Sequence, residues 1–482
     1  MPTNVSLSVG GADVPAGDGR TFERRNPLTG ETVTVAAAAG ADDATRAVEA
    51  AAAAFGSWST TGPNARRDLL LDAAHQLTLR TDEFVAATIA ETGAPRYWAH
   101  FNVALGSSIL REAAALTTLV RGETIPSDVP GSFATAVRTP AGVVLGMAPW
   151  NAPVILGVRS LATPLAVGNT VVFKASEKCP SIHRLIVDAL LAAGLPDGVV
   201  NFVSHAPEDA AAVVEAMIAH PAVRRVNFTG STGVGRIIGQ LCGKYLTPCV
   251  LELGGKAPFV VLDDADVDAA VDGAAFGAFA NSGQICMSTE RIIVDEAVAE
   301  EFVAKLSQKA MSLPTGDPAG EVVLGSVIDD TTVDRCNELI DDAVAKGARL
   351  VGERATSTLM TPALLVGVTP QMRIWSEESF GPVKCVTRVR GVDEAVAAAN
   401  DSEYGLSASV FGRDAARALA VAQRIDSGIC HVNGPTVHDE AQMPFGGVKS
   451  SGWGRFGGVA GVHEFTDLRW ITVQEGPRHY PF

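Results

Sequence analysis

The sequence predicts an α/β chain with a parallel-sheet lobe, a second α/β lobe and a small additional element. Three observations predict it: β-branched runs alternating with helix-length segments, a length of 482 residues, and a composition 47% hydrophobic and 19% charged. Strands separated by such helices form βαβ units and a parallel sheet. A chain of this length exceeds the size at which one hydrophobic core stops growing, so it divides.

Ala-rich amphipathic stretches near 41–55, 64–80 and 82–92 predict surface helices of an N-terminal layer, and Tyr97, Trp98 and Phe101 cluster on a further helix. From about 142 the pattern changes. Val143–Met147, Thr170–Phe173, Val199–Val203 and Val223–Phe228 are short strand-like runs, joined by helical segments near 154–166, 181–193 and 208–219. A second alternating region starts at Phe259–Leu262, passes through Arg291–Val294 and continues to about 455. No Ser/Pro/Gly-rich linker marks either boundary, so the lobes should pack directly, and there is no internal repeat.

The charge balance excludes some partners. Thirty-eight Lys and Arg against 54 Asp and Glu give a formal net charge of -16, which opposes general binding to nucleic acid or an anionic membrane. No window approaches 18 uninterrupted apolar residues, and residues 1–20 lack a signal-peptide pattern. The seven cysteines are odd in number and dispersed, which suits reduced thiols and a cytoplasmic location. Cys-x-x-Cys pairs and a His-Glu-x-x-His signature are missing, so no metal site is expected; His438-Asp439-Glu440 reads equally as a polar loop or a ligand set.

Several motifs can carry chemistry. Asn281-Ser282-Gly283-Gln284-Ile285-Cys286-Met287-Ser288 presents one thiol after a glycine turn, either a nucleophile or a small buried hydrophobe. Gly230-Ser231-Thr232-Gly233-Val234-Gly235 follows a strand and opens a helix, where free N–H groups and the helix dipole attract a pyrophosphate. Its glycine spacing differs from G-x-G-x-x-G. Lys174 and Glu177 stand at a strand exit, where a doubly wound sheet binds ligands, although a solvated pair is the other reading. Pro149-Trp150-Asn151, Leu251-Glu252-Leu253-Gly254-Gly255-Lys256, Glu377-Glu378-Ser379-Phe380-Gly381-Pro382 and Pro444-Phe445-Gly446-Gly447-Val448-Lys449 complete the set.

In this order and at these separations the motifs resemble the NAD(P)-dependent aldehyde dehydrogenase superfamily, from about Phe22 to the C-terminus. The resemblance implies an NAD-binding domain of residues 1–119 and 142–254, a catalytic domain of 255–455, and an oligomerisation element of 120–141 with 456–482, supporting a homodimer or homotetramer. It implies Cys286 as nucleophile, Glu252 as the general base for hydrolysis, and an oxyanion hole from the Asn151 amide and the Cys286 N–H. Trp150, Lys174, Glu177, Gly230, Ser231, Gly235, Glu378 and Phe380 would then hold the dinucleotide. A carboxylate at Glu177 would accept from ribose hydroxyls and repel a 2′-phosphate, favouring NAD, with NADP the alternative.

Glu252 also bears on the branch of the family. Members that pass the acyl group to coenzyme A typically lack a glutamate there, so hydrolysis to the acid is expected; a CoA-acylating enzyme and an inert homologue are the alternatives. Ala148–Arg159, Cys430–Phe445 and Gly476–Phe482 resemble aromatic-aldehyde members, salicylaldehyde dehydrogenases foremost, with vanillin and other benzaldehyde dehydrogenases as near neighbours and a broad-range aldehyde dehydrogenase as a further alternative. A ring-shaped substrate wants an apolar tunnel with few polar handles. Trp98, Met287 and Trp453 are the candidate walls, and Arg159, two helical turns after Asn151, either reaches a ring oxygen or serves an ion pair.

Overall fold

The computed structural model describes all 482 residues. Its first sheet has eight strands in the spatial order Gly452–Trp453, Cys249–Glu252, Val223–Thr229, Val143–Met147, Thr170–Lys174, Val200–Val203, Leu7–Val9 and Ala12–Val14. The five central strands are mutually parallel. From Val143–Met147 the chain adds strands to one side and then crosses to the other, so a switch point lies between Met147 and Phe228, where the carboxyl ends of neighbouring strands open a crevice.

The second sheet has seven strands, in the order Arg349–Val351, Ala363–Val366, Val383–Val389, Thr289–Asp295, Ala257–Val261, Ser407–Phe411 and Ile429–Val432. All are parallel except the first. Its central strands are buried on both faces, so Ala257–Val261 and Ile292–Val294 read as continuous apolar runs, while Glu290 and Arg291 are buried with partners of their own.

Helix Pro153–Ala166 shows how the first lobe is layered. Pro153 starts it at a position whose N–H would lack an intrahelical partner anyway. All 14 of its residues are buried between the first sheet and helix Arg96–Leu116. One contiguous core runs from this layer to Ile285, Met287 and Phe445 of the second lobe, so the lobes share packing across the site between them.

The structure refines the expected division. Residues 3–37 contain five short strands absent from the sequence reading, two of which extend the first sheet. Gly452–Trp453, inside the range 255–455, pairs antiparallel with Cys249–Glu252 of the first sheet. Glu123–Ile125, Ser132–Pro140 and Thr466–Gln474 form a separate antiparallel sheet. Its outer strand leaves Trp470 77% and Leu468 58% exposed. No helix is long and apolar enough to cross a membrane.

Candidate active site

Two cavities meet at Cys286. The first, of about 310 Å³, is lined by Pro149, Trp150, Asn151, Lys178, Gly230, Ser231, Gly254, Cys286, Glu378 and Phe380 among others. The second, of about 350 Å³, is lined mainly by apolar groups, including Trp98, Phe101, Ile155, Phe276, Met287 and Phe445, and also reaches Asn151 and Cys286. A thiol at the junction of a polar crevice and an apolar tunnel can face two reactants at once.

The turn before Cys286 is strained and strapped down. Asn281 and Ser282 adopt φ of 49° and 54°, left-handed values that cost a non-glycine residue about 1–3 kcal/mol each. Side-chain contacts hold them there. The Asn281 amide donates to the Asn151 carbonyl at 3.0 Å, Ser282 Oγ donates to the Gly325 carbonyl at 3.1 Å, and the Asn281 N–H donates to Tyr97 Oη at 3.2 Å. The Asn151 carbonyl accepts a second bond, from the Trp98 indole at 3.0 Å.

The same network aims the Asn151 side chain. Its Nδ2 donates to the Gln284 carbonyl at 3.0 Å, which uses one of two amide protons and leaves the other. The Cys286 N–H donates to no protein acceptor. Two unused donors thus lie beside the one thiol, the arrangement that stabilising charge on a carbonyl oxygen requires.

Glu252 ends its strand in the interior, and both of its carboxylate oxygens lack a hydrogen-bond partner. Burial pushes its carboxyl well above the usual range, while the charges of Arg159 and Arg455 work against that rise. The motif around Phe445 makes room for it: a Cβ at Gly446 would lie 2.6 Å from Glu252 Oε1. Burial also raises the Cys286 thiol to about 12, helped by the Glu252 and Glu378 charges, so the resting group is a thiol. An acid that is buried and unpaired suits a base whose partner is a transient water.

The polar crevice fits a dinucleotide. Ser231 caps helix Thr232–Tyr245, accepting from the Val234 N–H at 3.4 Å, and sets the helix N-terminus at the crevice wall. A Cβ at Gly254 would sit 2.9 Å from Glu378 Oε2, so a side chain there would crowd that carboxylate. Glu378 Oε1 accepts from the Gly255 N–H at 3.1 Å, and burial raises its carboxyl to about 7. Trp150 and Phe380 meet edge to face at 5.7 Å, an apolar wall for a flat ring.

Three expected cofactor residues lie outside that wall. The Lys174 ammonium donates to His205 Nε2 at 2.9 Å, and Glu177 follows in the next turn; Lys178, between Asp329 and the Trp150 ring, lines the crevice instead. Gly235 has a packing role, since a Cβ there would come within 2.2 Å of Leu253 Cδ2.

Trp98, Met287 and Arg159 line the apolar tunnel, but Trp453 does not. Trp453 sits opposite Leu251, and Gly452 opposite Glu252. Residues directly opposed across two strands share a face, so Trp453 points away from the side that Glu252 occupies. It is 55% exposed, and its indole donates to the Cys249 carbonyl.

Arg159 is not a free handle. Its Nη2 donates to both oxygens of Asp439, at 2.8 and 2.7 Å, and its guanidinium lies 4.3 Å from the Phe445 ring centroid. Only Nη1 is buried without a partner. A lone aspartate 280 positions away gave no sequence signal of this pairing.

Sequence reasoning also missed a group behind the crevice. Glu290 binds the ammonium groups of Lys256 and Lys384, each at 2.6 Å, with all three side chains buried. It also accepts from Ser379, both the N–H at 3.0 Å and Oγ at 2.6 Å, while Lys256 donates to the Glu377 carbonyl at 2.6 Å. This cluster fastens the segment that carries Glu378 and Phe380. Burial alone would raise the Glu290 carboxyl, but the two lysines hold it at about 2.

A thiol at the junction of an apolar tunnel and a polar crevice, with a buried carboxylate acting on it, is an arrangement suited to aldehyde oxidation, and the chain resembles known aldehyde dehydrogenases. Residues 14–471 match the model of the aldehyde dehydrogenase family. The chain is 62% identical to a vanillin dehydrogenase of Pseudomonas fluorescens over 480 residues, covering 99% of each. A salicylaldehyde dehydrogenase from Pseudomonas putida G7, solved with salicylaldehyde, superposes with a TM-score of 0.98 at 45% identity, with both chains covered completely. An NAD-dependent aldehyde dehydrogenase from Sinorhizobium meliloti gives 0.95 at 32% identity, covering 100% of this chain and 97% of that one. With its motifs assembled around one thiol and its whole length matched, the chain belongs to the aldehyde dehydrogenase family.

Proposed function

We propose that this enzyme oxidises hydroxylated benzaldehydes to carboxylic acids with NAD. The observation that carries the reading is the apolar tunnel ending at Cys286, with aromatic walls from Trp98, Phe101, Phe276 and Phe445 and few polar groups. The likeness to vanillin and salicylaldehyde dehydrogenases supports it. Salicylaldehyde stood first on sequence; the higher identity to vanillin dehydrogenase supports vanillin at least as strongly.

The Cys286 thiol gives up its proton to solvent as its sulfur attacks the aldehyde carbon, and the Asn151 amide with the Cys286 N–H meets the oxygen as it gains charge. Gly230, Ser231 and the helix N-terminus would hold the pyrophosphate of NAD, Glu378 its nicotinamide ribose, Trp150 and Phe380 its ring, and Lys174 with Glu177 the adenosine ribose. When bound, the cofactor accepts the hydride lost from carbon. Glu252 then takes a proton from water as it attacks the thioester on Cys286, releasing the acid and regenerating the thiolate.

The raised Glu252 carboxyl sets a pH dependence. An acid pushed up is neutral at low pH and gains its base form as pH rises, so thioester hydrolysis should speed up along that limb. Glu252→Gln should abolish the limb and give a burst of NADH followed by a slow steady state in stopped-flow absorbance. Equal loss of both phases would assign Glu252 an earlier role.

The decisive substrate experiment is an NADH-formation panel of benzaldehyde, hydroxybenzaldehydes, vanillin and aliphatic aldehydes. Hydroxylated aromatic aldehydes should give the highest kcat/KM, with NAD preferred over NADP; higher efficiency with short aliphatic aldehydes would overturn the aromatic reading. We further infer a homodimer or homotetramer formed through the sheet bearing exposed Leu468 and Trp470. Seven free cysteines support a cytoplasmic setting.

A further inference from the structure

The tunnel is graded from a dry end to a wet one. Asn151, Ile155, Ile285, Met287 and Arg159 are at most 6% exposed, whereas Phe101 and Phe276 are 41% and 48% exposed and the His438 side chain 48%. These three exposed groups therefore frame the mouth. A benzaldehyde with its formyl carbon at Cys286 keeps an ortho substituent beside the reacting centre, and points a para substituent outward along the tunnel axis.

His438 is the polar group at that mouth. Its Nε2 lies 3.0 Å from Glu440 Oε1, and a carboxylate can only accept, so this contact selects the tautomer with the proton on Nε2 and a lone pair at Nδ1. Nδ1 has no protein partner. Gln442 Nε2 donates to the other Glu440 oxygen at 2.7 Å, which steadies the carboxylate. His431 backs the imidazole with ring centroids 4.8 Å apart. The neighbouring carboxylate, Asp439, is occupied by Arg159, which leaves Glu440 as the one that sets the His438 tautomer.

We propose that His438, oriented by Glu440, accepts a hydrogen bond from a para-hydroxyl on the substrate ring and so selects 4-hydroxybenzaldehydes over ortho and unsubstituted ones. The chemistry favours this pairing. A hydroxyl para to a formyl group is conjugated with it, which makes the O–H acidic and a strong donor. An imidazole polarised by a carboxylate is in turn a strengthened acceptor. This rests on the aromatic-aldehyde reading and names a subclass within it.

The test is kcat/KM for 4-hydroxy-, 2-hydroxy- and 4-methoxybenzaldehyde and for hexanal, measured by NADH formation with wild type, His438→Gln, His438→Phe and Glu440→Gln. The 4-methoxy compound keeps the para oxygen without its proton. In His438→Phe the 4-hydroxy to 4-methoxy and the 4-hydroxy to 2-hydroxy ratios should fall by about tenfold, the effect of losing one hydrogen bond, and in His438→Gln, whose amide oxygen still accepts, by less. Glu440→Gln should shift both ratios in the same direction by less. Ratios left unmoved in a wild type that prefers benzaldehydes would overturn the role of His438 alone. A wild type that prefers hexanal would overturn the aromatic reading and this inference with it.

Discussion

Cys286→Ser should retain NAD binding, read as quenching of tryptophan fluorescence, and lose aldehyde oxidation by roughly 10³-fold or more, because the other groups cannot replace the nucleophile. An alcohol is a far weaker nucleophile than a thiolate at neutral pH. The surroundings sharpen the loss, since burial and the Glu252 and Glu378 charges already disfavour an anion at this position. Turnover within tenfold of wild type would remove Cys286 from the chemistry. Loss of cofactor binding as well would mean that the substitution had disturbed the turn from Asn281 to Gln284 instead.

Glu290→Gln should destabilise the protein by about 3–5 kcal/mol, because it leaves the buried ammonium groups of Lys256 and Lys384 without a counter-charge. Urea unfolding reads the loss as a lower midpoint. The damage should also reach the crevice through the Glu377–Phe380 segment, raising KM for NAD more than it lowers kcat. An unchanged midpoint would show that water or rearrangement relieves the two lysines. A fall in stability with unaltered KM would separate the cluster from cofactor binding.

How far the site could be read in advance follows from the distance over which each signal acts. Cys286, Glu252 and Asn151 lie in short motifs whose local chain already sets a strand end or a tight turn, so their convergence was legible. Trp453 was misread because its neighbours in sequence are motif residues while its face is set by pairing with Leu251, and register is a property of two strands. The Arg159–Asp439 pair and the Glu290 cluster were invisible for the same reason: their partners are far apart in sequence and meet only in the fold. The short strands within residues 3–37 gave little periodicity to read, several being only three residues long.

The left-handed backbone at Asn281 and Ser282 also bears on how such an enzyme can change over generations. Stability lost in this turn is available to any lineage that relaxes it, since glycine at Ser282 would release strain for one surrendered hydrogen bond. A population selected for heat resistance alone would drift toward that change, and toward a slacker placement of the reactive sulfur. Sturdiness and speed would then compete at this one bend, because the strain there is what places the sulfur.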